Sequence, residues 1–180
     1  MVLHHLELQL VLGKLITDNV YDKSKLGGGL IGFNNQNVLV LDSNMNQEEI
    51  RDGVTFGPFL IVNGEASTIT GAKAGGRSPR TAIGQRADGK VLFLVLDGDR
   101  NLGRGATYAE EIEILQNYGA INAANLDGGT STCMTVGSTL VNDPTSMYSG
   151  SRSRQVATAF VLTADLSDDG DYSVVANKLN

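Results

Sequence analysis

The chain of 180 residues has no tryptophan, one cysteine, two histidines and three prolines. A lone Cys133 can close no intramolecular disulfide and build no cysteine-rich metal site. His4 and His5 sit side by side at the N-terminal edge, far in sequence from any other polar cluster, so histidine-based acid/base or metal chemistry is not expected. No apolar run approaches the ~18 residues that a membrane-spanning helix requires, and no membrane insertion is expected. Cationic residues are also scarce. With 14 Lys and Arg against 20 Asp and Glu the net charge is −6, which argues against a nucleic-acid partner, because phosphate-backbone affinity needs clustered cations. Met1 to His5 lacks the basic start, apolar stretch and small-residue cleavage site of a signal peptide. Residues 1–12 read as a tag-like remnant or an edge strand.

Glycine, by contrast, is abundant, with 22 residues. Short apolar runs end repeatedly at Asp-Gly, Asn-Gly or Gly-Ser pairs, a pattern of hairpins. Strands are expected at Leu6 to Leu12, Val38 to Leu41, Phe59 to Val62, Thr81 to Gln85, Val91 to Leu96, Ile121 to Leu126, Cys133 to Val136, Thr139 to Val141 and Val156 to Leu162. One principal helix is expected from Tyr108 to Tyr118. Thr107 and Glu110 have capping-box spacing, Gly119 supplies a stop, and Tyr108, Ile112 and Leu115 share a face. A shorter helix is expected over Asn46 to Arg51. The fold class is α+β: a mixed, hairpin-rich β-sheet with one principal helix and a βαβ unit, in a single domain spanning 1–180. In that unit the apolar run Val91 to Leu96 suits burial on both faces, and the helix leads on to Ile121 to Leu126. If the two strands are parallel neighbours, Asp97 and Asp127 emerge on one rim and face one cleft.

Chemistry concentrates at Asn125-Leu126-Asp127-Gly128-Gly129-Thr130-Ser131-Thr132. A strand there ends in two polar side chains, two glycines and three hydroxyls. Glycines permit close backbone approach, so successive N–H groups can cup an anion while hydroxyls bond phosphate or sugar oxygens. Taken alone, an Asp-Gly pair is more often a simple turn. Asp97-Gly98-Asp99-Arg100 repeats the pattern after the other strand. Arg80, with Thr81 beside it, precedes a strand expected to form a hairpin with Val91 to Leu96 through Asp88-Gly89, and a guanidinium fork suits phosphate. Arg152 and Arg154 are weaker candidates. Glu110 is a candidate acid/base, although its place three residues into the helix already explains it as the capping partner. Asn125 can hold a sugar hydroxyl or satisfy backbone, and Asn142, before Pro144, reads as a turn residue near the cleft.

Ser78 to Gly84, Val91 to Arg100, Gly119 to Met134, Val141 to Pro144 and Ser153 to Val161 together resemble, in order, the sequence blocks of the phosphodiester glycosidase family. Phe56-Gly57-Pro58 with Leu60 to Gly64 resembles a further block. The resemblance covers most of Gly13 to Leu162. It implies hydrolysis of the bond between a sugar's C1 and a phosphate oxygen, with a small-molecule or polymeric sugar-phosphate as substrate. Through bacterial members it also implies an extracellular or cell-envelope setting, with wall, capsule or other exopolysaccharide material as substrate.

On that reading Asp127 is the first candidate to act on the sugar carbon, Asp97 the second and Glu110 the third. Arg80, Thr81, Asn125, Gly128, Gly129, Thr130, Ser131, Thr132, Asn142 and Arg154 then bind substrate. No cofactor is implied, and the oligomeric state is left undetermined. Three departures stand out: Asp97-Gly98-Asp99-Arg100 in place of Asp-Gly-Arg, Thr130-Ser131 after the paired glycines, and Ser153-Arg154 in place of Glu-Arg. The family's initial strand and Asn-Gly-Gly-aromatic segment have no counterpart before Gly13, so the chain is expected to lack the family's N-terminal segment. Two other readings remain. Asp97 and Asp127 can hold Mg²⁺ or Ca²⁺ for metal-assisted phosphodiester cleavage, or the chain is a carbohydrate-phosphate binding module without turnover.

Overall fold

The structure is a computed structural model that describes residues 15–17, 20–21, 29–43, 50–71, 76–99, 102–144, 156 and 158–162. Its strands in chain order are β1 (Leu15–Thr17), β2 (Val20–Tyr21), β3 (Gly29–Phe33), β4 (Leu39–Asp42), β5 (Asp52–Phe56), β6 (Phe59–Val62), β7 (Glu65–Ala66), β8 (Arg80–Arg86) and β9 (Val91–Leu96). The helix α1 (Tyr108–Asn117) follows, then β10 (Ala120–Asn125), a 3₁₀ turn (Gly129–Ser131), β11 (Thr135–Val136) and β12 (Thr139–Leu140). Strands β1 to β5 form one sheet in the order β2-β1-β5-β3-β4, and a second sheet runs β7-β6-β10-β8-β9. No helix among the described residues is long and apolar enough to cross a membrane.

The α+β class holds, as mostly sheet with one helix, but two expectations are corrected. Every described pairing is antiparallel, so the sheets are not mixed. Nor are β9 and β10 neighbours. The β8–β9 hairpin, closed at Gly89 with its positive φ of 84°, uses one edge of β8, and β10 takes the other. Because both lie antiparallel to β8, β9 and β10 still run in the same direction, and their carboxyl ends meet the start of β8 on one rim. The register places Arg80 opposite Leu96 and Ala82 opposite Asn125. As an edge strand, β9 is half-buried along its whole length.

Alternation along the central strands builds a layered core. Ile83 and Ala124 face the first sheet, where they join Ile31, Phe33, Leu39 and Val54. Their neighbours Ala82 and Ala123 face α1 and pack with Ile112 and Leu115. Between the sheets, buried Gln85 accepts from the Leu39 amide at 2.7 Å and donates to the Asn37 and Gly89 carbonyls at 2.8 and 3.0 Å. A buried amide satisfied at three points stabilises the join, whereas an unpaired one would cost about 1–3 kcal/mol.

The helix begins as its sequence predicts. The Thr107 amide donates to Glu110 Oε2 at 2.8 Å and the Glu110 amide to Thr107 Oγ1 at 3.3 Å, a reciprocal cap. Tyr118 is the C-cap, and Gly119 follows with φ 81°. Leu6 to Leu12 and residues 44–49 lie outside the described residues. Ile50 and Arg51 are not helical, and the described part of Val156 to Leu162 contains no strand. Phe160 in that stretch packs edge-on against Phe33, with ring centroids 6.2 Å apart.

Candidate active site

Past its last paired residue, β10 hands the chain to a segment stitched onto neighbouring strands. The amides of Asn125, Leu126 and Gly129 donate to the carbonyls of Pro58, Thr81 and Pro79 at 3.0, 2.7 and 2.9 Å. This contact demands glycine. A Cβ on Gly128 would sit 2.7 Å from the Pro79 oxygen, and Gly129 has a φ of 60°. A second return crosses the same rim, where Ser78 and Ala106 exchange both backbone bonds. Gly105 lies against Ser78 so closely that a Cβ there would come within 2.3 Å of its carbonyl.

These crossings enclose a cavity of about 210 Å³ lined by Phe56, Arg80, Tyr108, Asn125, Asp127 and Gly128, among others. Arg80 is buried, donates from Nε to the Ala106 carbonyl at 3.0 Å and from Nη2 to the Gly76 carbonyl at 2.8 Å, and stacks 3.9 Å from the Tyr108 ring centroid. Its guanidinium is held flat by two carbonyls and a ring, which fixes a cation at the cavity wall. Asp127 accepts from Ser131 Oγ at 2.7 Å. Asn125 is buried, donates from Nδ2 to the Gly57 carbonyl at 2.9 Å, and its Oδ1 has no hydrogen-bond partner.

Asp97 and Glu110 line a different cavity, of about 370 Å³, together with Arg77 and Glu113. The single cleft expected for Asp97 and Asp127 is therefore corrected. One rim carries both carboxylates, but the Ser78–Ala106 crossing is built between the strand ends. Both Asp97 oxygens receive donors from the loop beyond β12: Asn142 Nδ2 at 2.7 Å and the Asp143 amide at 2.8 Å. Asn142 also donates to the Thr132 carbonyl at 3.1 Å and accepts from the Met134 amide at 2.8 Å, so it clamps the segment after the 3₁₀ turn to Asp97. Glu110 is committed to its cap and to an ion pair with Arg77. The Thr107 backbone bond, then the Arg77 side chain, hold its carboxyl below the usual range.

The expected anion cup is also partly used by the protein itself. Gly129 N–H goes to Pro79, and the Ser131 and Thr132 amides donate to the Gly128 and Gly129 carbonyls at 3.1 and 3.2 Å. Thr81 and Thr132 hydroxyls bond one another at 3.2 Å. Thr130 lies half-buried in the 3₁₀ turn. Asp99 organises its own turn through backbone bonds with Arg104 and Leu102. Arg100, Arg152 and Arg154 lie outside the described residues. Among the described residues, no group of three or more His, Cys, Asp or Glu is placed to hold a metal ion.

Sequence reasoning assigned Tyr108 to the helix core face and missed its second role as the platform under Arg80. The available signal was an aromatic at the first helical position, beside a strand that opens with arginine. It also missed Glu111, which is fully buried with neither oxygen hydrogen-bonded. Burial pushes its carboxyl up to about 8, against an opposing pull from the Arg80 charge.

A sequence profile described as phosphodiester glycosidase matches residues 6–163, and the chain belongs to that family. It is 32% identical over 96 residues to the SPbeta prophage-derived uncharacterized protein YomE of Bacillus subtilis (strain 168), a match covering 52% of this chain and 15% of that protein. Over 67 residues it is 36% identical to the mouse (Mus musculus) N-acetylglucosamine-1-phosphodiester alpha-N-acetylglucosaminidase, covering 37% of this chain and 13% of the relative. The matches thus span well under a fifth of either relative. Its fold is similar to the zebrafish N-acetylglucosamine-1-phosphodiester alpha-N-acetylglucosaminidase catalytic domain, described as auto-inhibited by pro-peptide. That match has a TM-score of 0.70 at 19% identity and covers 88% of this chain and 62% of the other.

Proposed function

We propose that this chain is a hydrolase that cleaves the bond between a sugar's C1 and the phosphate oxygen in a sugar-1-phosphodiester. The observation that carries the reading is that Arg80 and Asp127, a fixed cation and a carboxylate, line one cavity with Gly128 and Tyr108. Family membership supplies the reaction class, and the mouse relative's name carries the same chemistry.

On this reading the C1–O bond breaks with its electron pair leaving on phosphate, and water oxygen bonds to C1. A proton from that water passes to solvent or to the phosphomonoester. Because phosphate leaves well, protonating it matters less than meeting its charge, which falls to Arg80 and to the hydroxyl of Thr130, while the Ser131 hydroxyl donates to Asp127. Positive charge developing on the sugar ring is met by Asp127, either as nucleophile or by activating water. Asn125 Oδ1 is the acceptor for a sugar hydroxyl. Asp97 and Asn142 hold the 132–134 segment in register rather than react.

Incubation with a panel of sugar-1-phosphodiesters, scored for free reducing sugar, tests the proposal. Release of one sugar with stoichiometric phosphomonoester is expected. Saturable binding without release would turn the reading into that of a binding module, and activity abolished by EDTA would turn it into metal-assisted cleavage.

A further inference from the structure

Glu111 is the one ionisable side chain among the described residues that is wholly buried with both oxygens unbonded. It lies on the face of α1 that packs on β6, β8 and β10. Strands β6 and β10 carry no ionisable group, and β8 carries Arg80 at its start and Arg86 at its end. Arg86 bonds Asp88 through Nε and Nη2, both at 3.1 Å. On the helix itself Glu110 is paired with Arg77, and Glu113 is exposed. Arg80 reaches the same helix, its guanidinium 3.9 Å from the ring centroid of Tyr108, one turn before Glu111; its charge opposes the rise that burial gives the Glu111 carboxyl, and the same guanidinium stands at the wall of the 210 Å³ cavity.

A buried carboxyl that accepts no hydrogen bond is costly to ionise. While it stays neutral, Asp127 is the acidic group that shares the cavity with Arg80, and Glu111 takes nothing from the field of the guanidinium. Once ionised, Glu111 competes for that field. We propose that Glu111 is a positioning residue acting through Arg80: its protonated form leaves the guanidinium to an anion in the cavity, and its ionised form weakens that anion's binding. By linkage, an anion seated at Arg80 also keeps Glu111 protonated, since coupling between two binding events is reciprocal. The inference rests on the proposed function only in taking the Arg80 cavity as an anion site.

Sulfate is a suitable probe because it stays a dianion across the whole working range, whereas phosphate itself titrates. Its affinity is measured by calorimetry from about pH 6 to about pH 9.5, for the wild type and for Glu111→Gln. Wild-type affinity is expected to fall by at least about fivefold across the Glu111 transition, and the Gln variant to show no such step. A flat wild-type profile, the same step in the variant, or no sulfate binding at any pH would each overturn the inference. Should the variant not fold, carbon NMR of glutamate-labelled wild type decides. Saturating sulfate is expected to move the buried carboxyl's midpoint upward, and an unmoved midpoint overturns the proposal. No readout involves sugar release, so a protein that cleaves no sugar-phosphodiester can still pass this test, and an active hydrolase can still fail it.

Discussion

In the sheet of β1 to β5, Gly32 faces Gly53 across the β3–β5 pair, and Ile50 rests on the bare backbone between them. A Cβ on Gly32 would lie 2.3 Å from the Asp52 carbonyl and 2.7 Å from Ile50 Cγ2. In the sheet of β6 to β10, Gly84 lies inside β8 against β10, but the glycines that shape the cavity lie past the strand ends. Gly128 and Gly105 let two loops cross the rim beside Arg80, Tyr108 and Asp127. The same residue type thus seals one sheet into a packed face and opens the other into a cavity. Buried polar groups are left unpaired on both sides of the join that Gln85 satisfies at three points: Thr55 Oγ1 in β5 of the first sheet, and Glu111 and Asn125 Oδ1 behind the rim and on it. An unpaired hydroxyl costs less than an unpaired carboxyl, so the larger cost is carried beside the cavity.

The largest expected consequence is a stability that falls as pH rises. Glu111 goes from an ordinary 4.5 to about 8 on folding, so between those values the native state binds a proton that the unfolded chain has released. Unfolding free energy therefore decreases with pH across that window and levels off above it, by on the order of several kcal/mol. Glu110 and Asp88, whose carboxyls are held low, act in the opposite sense and only below the usual carboxylate range. Urea midpoints recorded against pH should show the decline in the wild type and not in Glu111→Gln. A wild-type plateau from pH 5 to 8 would refute it.

Next in size is Asp127→Asn. The change is nearly isosteric and keeps an acceptor for Ser131 Oγ, so the fold should persist. It removes the charge that opposes an oxocarbenium-like transition state, and kcat should drop by at least ~10²-fold. Near wild-type turnover by the folded variant would leave Asp127 a turn residue. Gly32→Ala should do the reverse. Its Cβ forces the β3–β5 pair apart, costing about 1–3 kcal/mol of stability, while kcat and KM of the folded fraction stay unchanged. Altered kinetics there would mean that the first sheet also shapes the cavity.

Local signals carried much of this into the sequence. Phe59–Val62 and Val91–Leu96 are fixed by uninterrupted apolar runs between turn pairs, and α1 by its cap and periodicity. Strands β3 and β5 were illegible because Gly29, Gly32 and Gly53 erase strand propensity. Their pairing is decided by contacts with Ile50 and Phe59, which no local window contains. The antiparallel intrusion of β8 between β9 and β10 was hidden for a similar reason, since a hairpin specifies one edge of a strand and leaves the other to tertiary packing. At the site, Arg80, Asn125, Asp127 and Gly128 were legible because they flank strand ends that share a rim. Glu111 was not, because in the run Glu110-Glu111-Ile112-Glu113 a carboxylate reads as part of a solvated face.

The smallest expected effect bears on whether the rim cation works by charge or by shape. Arg80 reaches the Ala106 carbonyl through Nε and the Gly76 carbonyl through Nη2 while lying flat on Tyr108. Lysine keeps the charge but has one nitrogen, which cannot serve two carbonyls in the same planar geometry or stack as a plane. Arg80→Lys should therefore raise KM for a sugar-1-phosphodiester by about tenfold, the scale of one charge-assisted hydrogen bond, with a smaller change in kcat. A urea midpoint on the same sample separates lost binding from lost folding, because the two carbonyl bonds also secure the 76–80 and 104–106 crossings. Unchanged KM and kcat would show that any cation at this point suffices. The two sheets would then differ only in their glycine packing, and the geometry around Arg80 would be structural.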